Sequence, residues 1–116
     1  MPRAVVTGGA GFVGSHLCRV LRSRDWDVVA VDDLSTGRAD HVDALAGDGF
    51  TLVVHDVVDG IPVEGPVDAV LHFASAASPP EYLARPLETL AVGSTGTRNA
   101  LDLARLHGAR FLLAST

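Results

Sequence analysis

Residues Val5–Leu17 read VVTGGAGFVGSHL, and this stretch decides the fold. An apolar run gives way to four glycines, Gly8, Gly9, Gly11 and Gly14, with Val13, Leu17, Val20 and Leu21 following at helical spacing. Gly9, Gly11 and Gly14 satisfy G-x-G-x-x-G; Gly8, Gly11 and Gly14 satisfy G-x-x-G-x-x-G. A strand, a tight glycine turn and a helix start together make an anion site. The turn needs a residue free to take positive φ, and the backbone must approach a pyrophosphate with no Cβ in the way. Gly14 lets the helix pack close on the strand, and the helix N-terminus offers N–H groups and partial positive charge. The plainer alternative is a glycine turn that only permits packing. Asp32 weighs against it, ending the second apolar run 18 residues beyond Gly14. That is near the spacing of about 20 expected of a carboxylate that accepts from ribose hydroxyls. Its charge disfavours a 2′-phosphate, so NAD is expected over NADP, and Asp33 adds to that preference. Arg38 is the one residue that argues otherwise, and it reads as a solvated helix start.

Outward from this turn, apolar runs recur at Ala4–Thr7, Asp27–Asp32, Phe50–Asp56, Asp68–Ala74 and Arg110–Ser115. They do not alternate polar with apolar, which is the mark of strands buried on both faces in a parallel sheet. A second small and apolar stripe, Leu87, Leu90, Ala91, Ser94, Leu101 and Ala104, predicts a long helix stopped by Gly108. Arg38–Ala46 predicts a shorter one, stopped by Gly47. Residues Val57–Val67, VVDGIPVEGPV, carry two prolines and two glycines and predict a bare crossover loop. The order βαβαβ…βαβ predicts an α/β fold, a Rossmann-like doubly wound parallel sheet ending at a fifth strand, with residues 1–116 as one domain.

Composition narrows the function. Hydrophobic residues make up 47% of the 116, enough for a core. Net charge is −5, and the nine basic residues are all Arg and scattered, which argues against nucleic acid and against a basic membrane-surface helix. One cysteine, Cys18, excludes a disulfide framework and fits a reducing, cytoplasmic setting. No run approaches the length of a membrane span, and the N-terminus lacks the pattern of a signal peptide.

TGGAGFVGSHL, VDDLSTGR and ARFLLAST together resemble the extended short-chain dehydrogenase/reductase family of nucleotide-sugar epimerases and dehydratases. The resemblance covers the whole chain and implies the NAD-binding first part of such an enzyme, without the substrate-binding part. The short join HDVVDGIPVEGPVDAVLHFA and the small-residue loop ASAASPPEYLARPLETL are similar to the family's UDP-glucuronate decarboxylases, as is GTRNALDLARLHGARFLLAST. What the resemblance implies is oxidation at the sugar's C4, loss of CO2 from the resulting β-keto acid, and re-reduction to UDP-xylose. A sugar-nucleotide 4-epimerase or 4,6-dehydratase stays open. So does a non-catalytic dinucleotide-binding module.

By position, the resemblance places Gly11, Phe12 and Val13 in the pyrophosphate turn, with Gly8 and Gly14 around them. It places Asp32, Asp33, Ser35, Thr36 and Gly37 at the adenosine ribose, and Asp56 and Val57 at the adenine. Phe73, Ala74, Ser75 and Ala114 fall on the nicotinamide side. Thr116 matches the active-site Ser/Thr that bonds the sugar's C4 oxygen, and Asn99 is a weaker substrate-side candidate. The resemblance also implies a homodimer built through the long helix. Two departures stand out. Gly93 occupies a position where many relatives carry Asn, and no Tyr-x-x-x-Lys pair exists, because the chain has no Lys and its one Tyr is Tyr82. Of the histidines, His41 and His107 read as exposed, and His72 as a residue that satisfies backbone groups. No spacing suggests a metal.

Overall fold

The computed structural model describes residues 2–35, 37–74 and 83–114. Thr36, Ser75 and Thr116 lie outside them. Five strands form one sheet in the order β3-β2-β1-β4-β5. They are β1 (Arg3–Thr7), β2 (Asp27–Asp32), β3 (Phe50–Val54), β4 (Ala69–His72) and β5 (Arg110–Leu113). Every pairing is parallel. The chain steps outward from β1 to β3, then returns to lay β4 on the other side of β1, so the strand order reverses between β1 and β4. In an open α/β sheet, that reversal opens a crevice at the carboxyl ends of the strands.

The runs of β1 and β2 behave as expected of doubly covered strands, whereas β3 and β5, at the sheet's edges, are half-buried to exposed along most of their length. Val5, Val29, Val31 and Val70 face one side, against Ala100, Leu103 and Ala104. Val6, Val28, Ala30 and Phe50 face the other, against Cys18 and the half-buried Leu17 and Leu21. The helices that cover these faces are α1 (Phe12–Ser23), α2 (Pro86–Ala91) and α3 (Thr97–His107). Gly108, at φ 60°, ends α3 as a left-handed cap.

Several expectations need correction. The stripe on α1 is rotated from its predicted position: Val13 and Val20 are exposed, while Gly14, Ser15 and Cys18 are buried. Small residues sit at closest approach because they let the helix axis come near the sheet. The same holds further on, where Gly96 just before α3 and Ala100, Leu103 and Ala104 on it are buried and Leu101 is exposed, as are Leu87 and Leu90 on α2. The long helix is not one α-helix either: residues Val92–Gly96, between α2 and α3, are π-helical. The helix expected over Arg38–Ala46 is two 3₁₀ turns, Ala39–His41 and Asp43–Leu45. Its residues are claimed by outside partners. The Arg38 N–H and the His41 Nδ1 both donate to the Ala10 carbonyl, at 3.0 and 2.7 Å, which pins this segment to the glycine turn. Neither His41 nor His107 is exposed, since both are half-buried.

Candidate functional site

The crevice between β1 and β4 opens into a cleft of about 320 Å³. One wall comes from the turns after β1 and β2, the other from the turns after β3 and β4 together with α2.

On the first wall, Gly8 takes φ +70°, so it is the residue that needs left-handed freedom. A Cβ there would lie 2.7 Å from the Phe73 carbonyl carbon, so Gly8 is also where the two walls touch. A Cβ on Gly14 would run into the Gly8 carbonyl. The working pattern is therefore Gly8, Gly11 and Gly14, while Gly9 packs on Ala30 of β2. Gly11 is the N-cap of α1, with no side-chain cap and no acidic residue in the first turn. The opening N–H groups of α1 thus carry uncompensated partial positive charge. Phe12 and Val13 lie at that helix start, exposed, while Gly14 is buried beneath it.

Asp32 is 8% exposed. Its Oδ2 accepts from the Ala10 N–H at 3.0 Å and its Oδ1 from the Leu34 N–H at 2.8 Å. The carboxylate thus organises both turns of this wall and keeps lone pairs for a hydroxyl donor in the cleft. Gly37 packs against it, and a Cβ there would lie 2.8 Å from Oδ2. Asp33 is exposed, and its Oδ1 accepts from the Ser35 N–H and hydroxyl at 3.0 and 2.8 Å. Leu34, between them, holds φ 63°, a conformation rare for a non-glycine residue. Arg38 does not line the cleft, and its guanidinium pairs with Asp40.

On the second wall, Asp56 caps a 3₁₀ turn, Val57–Asp59, its Oδ1 accepting from the Val58 N–H at 3.0 Å. Asp56, Val57, Phe73 and Ala74 all line the cleft. Ala114 does not line it; its N–H donates to the His72 carbonyl at 3.1 Å, continuing the β4–β5 ladder.

Asn99, a candidate for the substrate side, is committed elsewhere. Its Nδ2 donates to the carbonyls of Val57 and Val58 at 2.8 and 3.2 Å. Its place is behind the loop that follows β3, which it holds. Reading residues in isolation also missed Arg85, Glu88 and Thr89, which line the cleft from the start of α2. Pro86 at the first turn of α2 was the available signal for where that wall begins.

A family model described as the NAD dependent epimerase/dehydratase family matches residues 4–116. The chain belongs to this family. Within it, the chain is 48% identical over 115 residues to UDP-glucuronic acid decarboxylase 1 of Danio rerio. That match covers 98% of the chain and 27% of the relative. It is 47% identical over 115 residues to UDP-glucuronic acid decarboxylase 2 of Arabidopsis thaliana, covering 98% and 25%. The chain thus spans about a quarter of the length of these relatives. Among solved structures, a UDP-galactose 4-epimerase superposes with a TM-score of 0.81 at 36% identity, covering 98% of this chain and 38% of that one. A UDP-glucose-4-epimerase from Stenotrophomonas maltophila, solved with NAD and a formylated UDP-arabinopyranose, gives 0.84 at 30%, covering 100% and 37%.

NAD is the family's cofactor, and the chain's own geometry fits a dinucleotide. Cβ atoms are missing where backbone must come close, at Gly8, Gly14 and Gly37. An uncapped helix start stands beside them, and a buried carboxylate, Asp32, ends β2 at the cleft. Among the described residues no group of His, Cys, Asp and Glu could hold a metal ion, and no helix is long and apolar enough to cross a membrane.

Proposed function

We propose that this chain is the cofactor-binding part of a UDP-glucuronate decarboxylase, and that the cleft between β1 and β4 holds NAD. The observation that carries the cofactor assignment is the contact of the two walls at Gly8, with Asp32 anchored at the end of β2. The substrate assignment is supported by the 48% identity to a UDP-glucuronic acid decarboxylase over nearly the whole chain. In this reading the N–H groups that open α1, after Gly11, take the pyrophosphate, and Asp32 accepts from the adenosine ribose, helped by Asp33 and Ser35. Asp56 and Val57 border the adenine. Phe73 and Ala74, with Ser75 beyond them, border the nicotinamide. Bound NAD supplies reversible oxidation at the sugar's C4, which places a ketone β to the carboxylate that leaves as CO2. Thr116, just past β5, orients the C4 oxygen and shares its proton.

The exposed Leu87, Leu90 and Leu101 support a dimer in which two copies meet through these helices. A 4-epimerase is the second reading, favoured by the solved UDP-galactose 4-epimerase at 36% identity. The deciding experiment incubates the protein with UDP-glucuronate and NAD and follows CO2 and the nucleotide-sugar product. CO2 with UDP-xylose supports the decarboxylase. A C4 epimer without CO2 moves the assignment to the second reading, and absence of NAD binding removes both.

A further inference from the structure

A buried chain of polar side chains, separate from the cofactor-facing residues, runs behind the turn that follows β4. Thr7, at the end of β1, is paired in register with His72, at the end of β4. The Thr7 hydroxyl lies 2.7 Å from His72 Nδ1. The same hydroxyl accepts from the Ala74 N–H at 3.2 Å and shares the Phe73 N–H with the Thr7 carbonyl, each at 3.0 Å. On the other side of the ring, His72 Nε2 lies 3.2 Å from the Thr97 hydroxyl.

Counting donors favours one arrangement of the protons. A hydroxyl has one proton and two lone pairs. With the Ala74 N–H and the shared Phe73 N–H on the lone pairs of Thr7, its proton is left for His72 Nδ1. That nitrogen is therefore an acceptor, and the neutral ring carries its proton on Nε2 and donates it to Thr97. The expectation that His72 satisfies backbone groups is thus corrected: it satisfies two hydroxyls, and one of those holds the backbone of the cleft.

We propose that His72 is a positioning residue for the cofactor. Through Thr7 it sets the Phe73–Ala74 turn, and through Thr97 it ties that turn to the helix at the point where the π-helical segment ends. Segments of this kind recur at functional sites. The inference rests on the reading of the cleft as the NAD site. It carries a pH consequence. A protonated ring has two donors, so Nδ1–H would compete with Phe73 and Ala74 for the Thr7 oxygen, and the turn would lose a bond. The groups that face the ring are Thr7 from β1, Thr97 from α3 and Phe111 from β5, the last stacked at 6.3 Å. None is charged, and burial alone moves the ring's proton affinity, downwards from 6.5.

Two measurements test this. Nitrogen-detected NMR of the histidine rings at neutral pH is expected to show His72 unprotonated at Nδ1 and protonated at Nε2. The opposite tautomer, or an imidazolium, overturns the proposal whether or not NAD binds. Calorimetric NAD titration then compares two variants that keep a polar side chain. His72→Asn places its amide oxygen where Nδ1 was and can still accept from Thr7. His72→Gln places its amide near the position of Nε2 and cannot. Asn is expected to hold NAD affinity within about threefold of wild type, while Gln loses about tenfold. Affinity in wild type is expected to fall in acid, only at a pH below the ordinary histidine value of 6.5, and to stay flat over that range in His72→Asn. Equal losses in the two variants, or an acid loss that persists in His72→Asn, would mean that the ring only fills space. If wild type binds no NAD, the cofactor assignment fails, and the ring-nitrogen result still decides the tautomer.

Discussion

The two walls of the cleft are built on different principles. The wall after β1 and β2 works through backbone and the absence of side chains: Gly8 and Gly14 remove Cβ atoms, and Asp32 accepts from N–H groups at residues 10 and 34. The wall after β3 and β4 works through side chains reaching from far along the chain. Asn99 holds the carbonyls of Val57 and Val58 from 42 and 41 residues away. Thr7 holds Phe73 and Ala74 from 66 and 67. The first wall is a local property of its own sequence. The second exists only once β1, β4 and α3 have assembled.

The difference predicts unequal tolerance to mutation. Gly14→Ala has the largest expected effect. Its Cβ would meet the Gly8 carbonyl, which belongs to a turn that cannot retreat because Phe73 stands behind it. We expect a stability loss of about 3 kcal/mol and a fall in the thermal midpoint of more than ~10 °C, read by calorimetry. Gly8→Ala should be only slightly milder. It combines a positive φ, costing about 1–2 kcal/mol, with the 2.7 Å contact to Phe73. Gly11→Ala is the informative contrast. Its Cβ would lie 3.2 Å from the Gly8 oxygen, a tight contact but not an overlap, so we expect a stability loss of about 1 kcal/mol, well short of Gly14→Ala, beside the loss of NAD affinity. Equal damage at Gly11 and Gly14 would mean that the turn is fragile as a whole.

Asp32→Asn ranks next. An amide in place of the carboxylate turns one acceptor into a donor, so either the Ala10 or the Leu34 N–H loses its partner inside the protein. The expected cost is about 1–3 kcal/mol in urea unfolding, together with weaker NAD binding. An unchanged unfolding midpoint would show that the carboxylate serves only the ligand.

These ranks also explain what could be read from the residues alone. The glycine turn and the placement of Asp32 beside it were legible because both follow from spacing and residue type over one βαβ unit. The sheet was legible because β1 and β2 are buried on both faces and so are apolar throughout. The helix faces were misplaced because hydrophobicity marks Val13, Val20 and Leu101, whereas close approach to the sheet selects Gly14, Cys18, Gly96 and Ala100. His72 could be seen as a polar residue ending an apolar run, and Asn99 as one polar residue among several on a mixed helix. Their partners could not, because a hydrogen bond across 65 residues leaves no local pattern. A polar residue inside an apolar run was the only signal, and it says that a partner exists without saying which.

Asn99→Ala tests the second wall on its adenine side. It removes two hydrogen bonds to the Val57–Val58 loop and leaves the cleft-lining atoms in place. We expect about 1 kcal/mol of lost stability and roughly fivefold weaker AMP binding, with nicotinamide mononucleotide affinity unaffected. Equal weakening of both halves of the dinucleotide would mean that the two sides of this wall move together through α3.

The smallest effect is on stability against pH, and its sign follows from His72. Burial lowers the ring's pKa from 6.5 in the folded protein, while the unfolded chain keeps the ordinary value. Between those two values the unfolded state binds more protons, so stability falls as pH drops below about 6.5 and levels off once the folded ring also protonates. Each unit of depression is worth about 1.4 kcal/mol at most. The chain carries four other histidines, His16, His41, His55 and His107, so the wild-type curve alone assigns nothing. The difference between wild type and His72→Asn isolates the one ring. Urea midpoints that converge between the two proteins as pH falls from about 8 to 5 place the acid-sensitive joint behind the β4 turn. Parallel curves would move it to another histidine, with His41 first because its Nδ1 donates to the Ala10 carbonyl of the phosphate turn. The acid-sensitive joint would then belong to the wall written locally in the sequence, and the contrast between the two walls would lose its pH dimension.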